Sequence, residues 1–178
     1  ADGTVKVENH FNVEKADFRS LMRIGNNLQV NKDFSRIQWY GRGPWENYWD
    51  RKYASEVGMY AQKLSEQYFP YARPQESGNK TDVRWLALTN HRGKGIRIDF
   101  ADSLLSVSAL PYSLEDLDPA AEKHQFHSGE LIEKDKIFMH VDLQQMGVQG
   151  MDSWGAMPLK KYWITAGEYS YSYWIRPL

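Results

Sequence analysis

The sequence predicts an all-β fold, an antiparallel β-sandwich, and two observations carry that reading. Apolar and polar residues alternate with a period of two over most of the chain, which places one set of side chains on a single sheet face. The alternating runs are short, and Gly, Pro, Asn and Asp turn signals such as "NKDFS", "HRGKG" and "TAGEY" separate them at a spacing typical of sandwiches.

Taken in order, the first strand is read in "TVKVENHFNV", where Val5, Val7, Phe11 and Val13 share one parity. Further strands are expected over 21–30, 35–40 and 83–89. In "GIRIDF" the shared parity belongs to Ile96, Ile98 and Phe100, and in "LLSVSAL" to Leu105, Val107 and Ala109. "SLEDLDPAAEKHQF" breaks the pattern: Ser113 can cap a short helix with Glu115 and Asp116 in its first turn, where carboxylates complement the dipole, and Pro119 limits its length. Strand periodicity returns in "KIFMHVDL" with Ile137, Met139, Val141 and Leu143. It is expected over 162–165, and ends in "EYSYSYWI" with Tyr169, Tyr171, Tyr173 and Ile175. That makes about nine strands. No repeat, low-complexity tract or linker divides the chain, so residues 1–178 are expected to form one domain.

Composition narrows the function classes. A chain of 178 residues can bury roughly 70% of its unfolded surface, so neither a metal nor a disulfide is required for stability. There is no cysteine, which excludes disulfide scaffolds and thiolate metal sites and leaves the compartment open between cytoplasm and periplasm or exterior. Net charge is -1 with both signs interspersed, so there is no basic field for nucleic acid. No apolar run approaches the roughly 18 to 20 residues of a membrane span, and "ADGTVKVENH" lacks the pattern of a signal peptide, so a soluble chain is expected. Seven Trp and eleven Tyr give an aromatic content in keeping with all-β and sugar-binding proteins.

Two segments resist strand assignment, "GRGPWENYWDRK" and "YFPYARPQESGNKTD". Both mix Pro and Gly with aromatics and charges, and long irregular loops in compact domains tend to carry function. Glu46, Asn47, Asp50 and Arg51 in the first, and Glu76, Asn79 and Arg84 in or just after the second, are loop candidates. A knot of carboxylate, guanidinium and backbone hydrogen bonds accounts for them better than acid catalysis. A third stretch, "GMDSWGAMP", sets Trp154 among turn formers rather than in a strand. Asp152 and Ser153 suit an Asx-type turn that aims the indole, and Gly150 and Gly155 let the backbone bend. A rigid indole is suited to the apolar C–H face of a pyranose. His124 and His127 form an H-x-x-H pair with no third ligand nearby, and fit a solvated pair better than a metal site. His140 lies at the parity opposite Val141 and is expected to point to solvent or across a sheet interface, and His91 is a turn residue. No histidine is assigned to chemistry, and no metal or cofactor is expected in the chain.

The motifs "RIG" (23–25), "WYGRGPWENYWDR" (39–51), "YFPYARPQESGNKTDVRW" (68–85) and "GVQGMDSWGAMP" (147–158) together resemble, in order and spacing, the C-terminal domain or small chain of the β-galactosidases of glycoside hydrolase family two. The resemblance runs from about Arg23 to the C-terminus. It implies a supersandwich of the galactose-mutarotase-like kind, joined in a longer chain to a sugar-binding domain, immunoglobulin-like domains and a TIM barrel. In that family the domain begins well upstream of "RIG". The chain therefore resembles a piece that starts partway through, with an exposed strand edge or apolar face expected and dimerisation through it left open.

The resemblance further implies that the reacting carboxylates and the magnesium belong to the barrel, that none of the catalytic residues is in this chain, and that Trp154 offers its face to a β-galactoside. The implied partners are the other domains, the barrel above all, and the sugar substrate. Two alternatives differ in class: an independent carbohydrate-binding module, and an aldose-epimerase-like enzyme.

Overall fold

The computed structural model describes residues 2–14, 17–119, 126–148 and 155–178. Among them ten antiparallel strands form two sheets. The strands are β1 (Val5–Val13), β2 (Arg23–Asn31), β3 (Arg36–Gly43), β4 (Glu56–Lys63), β5 (Lys80–Val83), β6 (Trp85–Thr89), β7 (Gly95–Phe100), β8 (Leu105–Leu110), β9 (Lys136–Gln145) and β10 (Gly167–Pro177). Among the described residues one α-helical turn, α1 (Leu114–Leu117), lies between β8 and β9. The six-stranded sheet runs β1-β10-β7-β6-β3-β4 and the four-stranded sheet β2-β9-β8-β5. The chain is the all-β antiparallel sandwich that the alternation predicts.

The parity read from the sequence is the parity that packs. Leu105, Val107 and Ala109 on β8 and Ile137, Met139 and Val141 on β9 meet Ile37 and Trp39 on β3, Leu86 and Leu88 on β6, and Tyr171 and Tyr173 on β10 in one core. Two tyrosines carry hydroxyls into that core, and a buried hydroxyl needs a partner. Both reach the side-chain oxygen of Asn26 on β2, Tyr171 at 3.0 Å and Tyr173 at 2.9 Å, and Tyr171 also lies 3.0 Å from the carbonyl of Val141. The two sheets are thus joined by a polar bridge inside an apolar layer. Burial pushes the Tyr173 phenol up to about 12, and Tyr171 is raised as well.

Four expectations are corrected. The strand expected over 83–89 is two strands in different sheets: β5 pairs with β8, β6 pairs with β3 and β7, and the chain crosses between sheets at Arg84. Within β5, where the register against β8 shifts between Lys80 and Val83, Asp82 has φ 53°, a left-handed conformation that Asp tolerates better than most side chains. Its carboxylate is fixed there by Arg42 Nε at 2.5 Å and Lys52 Nζ at 2.9 Å. Secondly, the segment expected as irregular over 68–82 ends in strand from Lys80, so that part of it belongs to a sheet. Thirdly, β4 is an edge strand that was not foreseen. Fourthly, the strand expected over 162–165 is a 3-10 turn, Lys160–Tyr162, followed by one bridge from Ile164 to Leu21. Helix α1 forms where Ser113 predicts it, and the Asp116 carboxylate receives the Ser113 backbone N–H at 2.8 Å and its hydroxyl at 2.9 Å.

The Asn26 bridge gives a stability test. Tyr173→Phe removes one hydroxyl from one acceptor and is expected to cost about 1 kcal/mol. Asn26→Ala leaves the Tyr173 hydroxyl unmatched and Tyr171 with the Val141 carbonyl alone, and is expected to cost more, about 2 to 3 kcal/mol. Urea unfolding of the two variants checks the order, and a larger loss for Tyr173→Phe contradicts it.

Candidate functional site

The four sequence motifs meet at one cavity of about 740 Å³. Its walls come from Met22 and Arg23 at the start of β2, Tyr48 and Arg51 in the first long loop, and Tyr71 to Glu76 in the second. Leu114 and Glu115 of α1 with Asp118, residues 145–148 at and after the end of β9, and residues 155–158 complete it. None of these segments adjoins all the others in sequence. The sandwich brings them together because β2 and β9 are neighbours, pairing Arg23 with Gln145, and because the two long loops are bonded to each other through Asn47 and Asn79.

Arg23 is the charged centre. Its Nη2 donates to Glu76 Oε2 across 53 residues of sequence, and its Nη1 lies 3.2 Å from Asp142 Oδ2. Asp142 is only 1% exposed. Burial raises the Asp142 carboxyl to about 7 against the opposing pull of Arg23, with the Glu76 charge adding to the rise. Burial likewise raises Glu76, again against Arg23. One guanidinium therefore serves a buried carboxyl, Asp142, and a partly buried one, Glu76. The close fit explains "RIG": a Cβ at Gly25 would sit 1.8 Å from Asp142 Oδ1, so only glycine leaves room for that carboxylate. The β2 register also shifts between Ile24 and Gly25 at this point.

Glu46 ties the two long loops together. Its carboxylate accepts from Arg51 Nη2 at 2.7 Å, the Gly78 backbone N–H at 2.8 Å, Tyr48 at 3.3 Å and the Tyr71 hydroxyl. The Arg51 guanidinium lies over the Tyr48 ring at 4.7 Å. Next to it Asn47 and Asn79 exchange bonds: Asn47 N–H to the Asn79 carbonyl and Asn79 Nδ2 to the Asn47 carbonyl, both 2.8 Å. Asn47 Oδ1 takes the Thr81 N–H and hydroxyl at 2.9 and 2.5 Å. With every acceptor lobe of Glu46 engaged, this group holds loops rather than donating protons. Asp50 packs behind the cavity wall, its Oδ2 2.6 Å from where a Cβ on Gly147 would be. Arg84 lies apart from the cavity, stacked over Tyr40 at 5.0 Å.

The remaining expectations divide. Trp154, Asp152, Ser153 and His124 lie outside the described residues, although Val148 and Gly155, on either side of the tryptophan's stretch, both line the cavity. His127 is exposed and meets Glu130 at 3.1 Å. The expectation for His140 is corrected. It does face away from the inter-sheet core, but it is buried rather than solvated, and burial together with the charge of Arg23 lowers its pKa to about 3, so it is neutral. Among the described residues no three of His, Asp and Glu converge to hold a metal ion. Asp142, Gln145, Tyr48 and Tyr71 were not singled out from the sequence. The one available signal was an acid at the outward parity of a strand whose neighbours are otherwise apolar.

Residues 1–175 match the family model for the β-galactosidase small chain. The chain belongs to that family. Among its relatives, the β-galactosidase of Priestia megaterium is 38% identical over 178 residues, 99% of this chain and 16% of that protein. The β-galactosidase of Vibrio cholerae is 34% identical over 98% of this chain and 16% of its own length. That of Pseudoalteromonas haloplanktis is 33% identical over 85% and 14%. The chain thus spans about one sixth of the length of the curated relatives it matches. The small-chain family match also covers both edges of the cavity, since residues 21–158 fall within it.

The charge economy around Arg23 has a measurable sign. A carboxyl whose folded pKa of about 7 exceeds its ordinary 3.8 favours the fold when protonated, so stability from Asp142 is lost as pH rises through that window. Asp142→Asn keeps the shape and removes the titration. Its unfolding free energy is expected to gain on the parent chain's between pH 3.8 and about 7 and to run parallel above. Parallel curves across the whole window, measured by urea unfolding, contradict the assignment.

Proposed function

We propose that this chain is the C-terminal domain of a β-galactosidase of glycoside hydrolase family two, an enzyme that hydrolyses terminal β-D-galactosides. In this reading the domain supplies scaffold and one wall of the active site, and the bond-breaking groups lie in a separate TIM barrel. Retaining glycosidases set two carboxyl groups on either side of the scissile bond, one as proton donor and one as nucleophile. Three carboxylates near the cavity do not suit that work: Glu76 on its wall shares the Arg23 guanidinium with Asp142 behind it, and Glu46, also behind the wall, is saturated with hydrogen bonds. The magnesium implied by the family is likewise assigned to the barrel.

The observation that carries the reading is the meeting of all four family motifs at one cavity, with Val148 and Gly155 on its wall. Residues 149–154, which include Trp154, join those two positions. Trp154 is the proposed sugar platform, turned towards the substrate by Asp152 and Ser153. An indole presents a large rigid apolar face at small entropic cost, so stacking holds and orients the leaving sugar without taking part in proton transfer. Glu46, Asn47, Arg51 and Asn79 act one layer back, fixing the loops that face the substrate.

Kinetics of the full-length enzyme test this. Trp154→Ala is expected to raise KM by about tenfold, equivalent to about 1.4 kcal/mol. Transfer to acceptor sugars falls with it, while kcat for a chromogenic galactoside changes less. A fall in kcat with KM unchanged contradicts the platform. The isolated chain is expected to leave the same substrate intact, and turnover by it contradicts the placement of the catalytic carboxylates elsewhere.

A further inference from the structure

The outer face of the six-stranded sheet carries cations that have no counter-ion. Arg36 on β3 and Lys63 on β4 are directly opposed, and Thr89 on β6 opposes Arg36 from the other side, so the three form one row across three strands. Their chain neighbours Ile37, Leu64 and Leu88 pack into the core, which leaves this row on the outer face. Side chains directly opposed in an antiparallel pair stand about 4.5 to 5.5 Å apart at Cβ, and like charges placed so repel each other. Among the described residues neither Arg36 nor Lys63 makes an ion pair that would relieve this.

The pair borders an open depression of about 670 Å³, which Gln38, Ala61, Thr89 and Gly93 also line. Gln38 stands in the next row between Ala61 and Ala87, whose short side chains leave its amide exposed. Gly93 lies in the turn 90–95, where Asn90 Oδ1 takes the N–H groups of Arg92 at 2.9 Å and Lys94 at 3.1 Å and so sets two more exposed cations at the rim. Of the lining residues only Glu66 has an acidic side chain, and its Oε2 accepts the Lys63 backbone N–H at 3.0 Å. A chain of net charge -1 thus gathers Arg36, Lys63, Arg92 and Lys94 around a single acid.

We propose that Arg36, Lys63, Gln38 and Thr89 form a binding site for a phosphate group. A guanidinium fork, an ammonium and two neutral donors match a tetrahedral dianion, whose charge turns the repulsion between Arg36 and Lys63 into a bridge. The depression is of a size that takes small organic ligands, so a phosphate monoester fits it as well as the free anion. Because both cations are exposed, binding is weak, with a dissociation constant of about 1 mM, and weakens further with salt. The site is separate from the cavity at Arg23, and nothing in this inference rests on Trp154 or on where the catalytic carboxylates lie.

Phosphorus NMR of the full-length enzyme tests it, with inorganic phosphate and glycerol 3-phosphate as probes and the ionic strength held constant with KCl. The probe lines are expected to broaden as enzyme is added, and the affinity is expected to fall at least about tenfold in Arg36→Gln and in Lys63→Gln. The probe that binds more tightly shows whether the site takes the free anion or the ester. Lys6→Gln, which removes an ammonium already paired with Glu8 at 2.8 Å, is expected to bind like the parent. Hydrolysis of a chromogenic galactoside in phosphate-free buffer is expected to be unchanged in all three variants, which shows that they are folded. No broadening of either line by the parent overturns the proposal, as does equal broadening by the parent and the double variant Arg36→Gln, Lys63→Gln. An equal loss in Lys6→Gln also overturns it, because that is the response of unspecific charge attraction. None of these outcomes touches the kinetics of Trp154→Ala, so this proposal and the sugar platform fail or stand separately.

Discussion

One guanidinium holding a buried and a partly buried carboxyl is the constraint on which the functional face depends. Arg23 stands at the start of β2, Asp142 on the neighbouring β9 and Glu76 in the loop before β5, so their contact joins two strands to a segment far away in sequence. A charge buried as deeply as that of Asp142 is tolerated only when paired, and removing the partner of a buried charge typically costs about 3 to 5 kcal/mol. The group is also underpaired in charge, with two acids to one base, and burial resolves this by raising both carboxyls so that a proton can replace the missing cation. A site built this way is rigid in geometry and open in protonation, which suits a wall that positions other groups.

The sandwich gives that cluster its footing. Its core comes from both sheets, and the Asn26 bridge to Tyr171 and Tyr173 fixes how β2 sits against β10. Because β2 is fixed, Arg23 at its end is fixed too. The first long loop is held at a second node, Glu46, which gathers Arg51, Tyr48, Tyr71 and the Gly78 amide. The first node reaches the second long loop through Glu76, the second sits in the first long loop, and Arg23, Glu76, Tyr48, Arg51 and Tyr71 line the cavity between them. Met146 and Gly147 close the circuit, their amides donating to the carbonyls of Met22 at 2.8 Å and Tyr162 at 3.0 Å. The segment carrying Trp154 therefore leaves from anchored backbone.

Sequence periodicity made β7, β8, β9 and β10 legible because one face of each is buried and the other is not, or is covered by polar groups. It missed β4, "EVGMYAQK", for a physical reason. An edge strand with Val57 and Met59 exposed and Tyr60 on the opposite parity has apolar groups on both faces, so the alternation cancels. It missed β5 because Lys80 and Thr81 are buried polar residues, satisfied by the Gly78 carbonyl and by Asn47, and such partners are invisible in one dimension. The loops around Glu46 and Glu76 were marked by their composition. The partner of Arg23 on β9 was not, since an acid at outward parity reads as solvated until the covering loops are in place. Gly25 carries the same lesson: its need for a missing side chain appears only with Asp142 packed against it.

Hydrogen exchange in Arg23→Met tests the central role of this cluster most directly. The amides of Gly78, Met146 and Gly147, which are bonded within the loops around the cavity, are predicted to lose protection. Those of Leu86 and Leu88, inside the six-stranded sheet, should keep theirs. Unchanged protection at the loop amides, or an equal loss at both sets, would contradict the account.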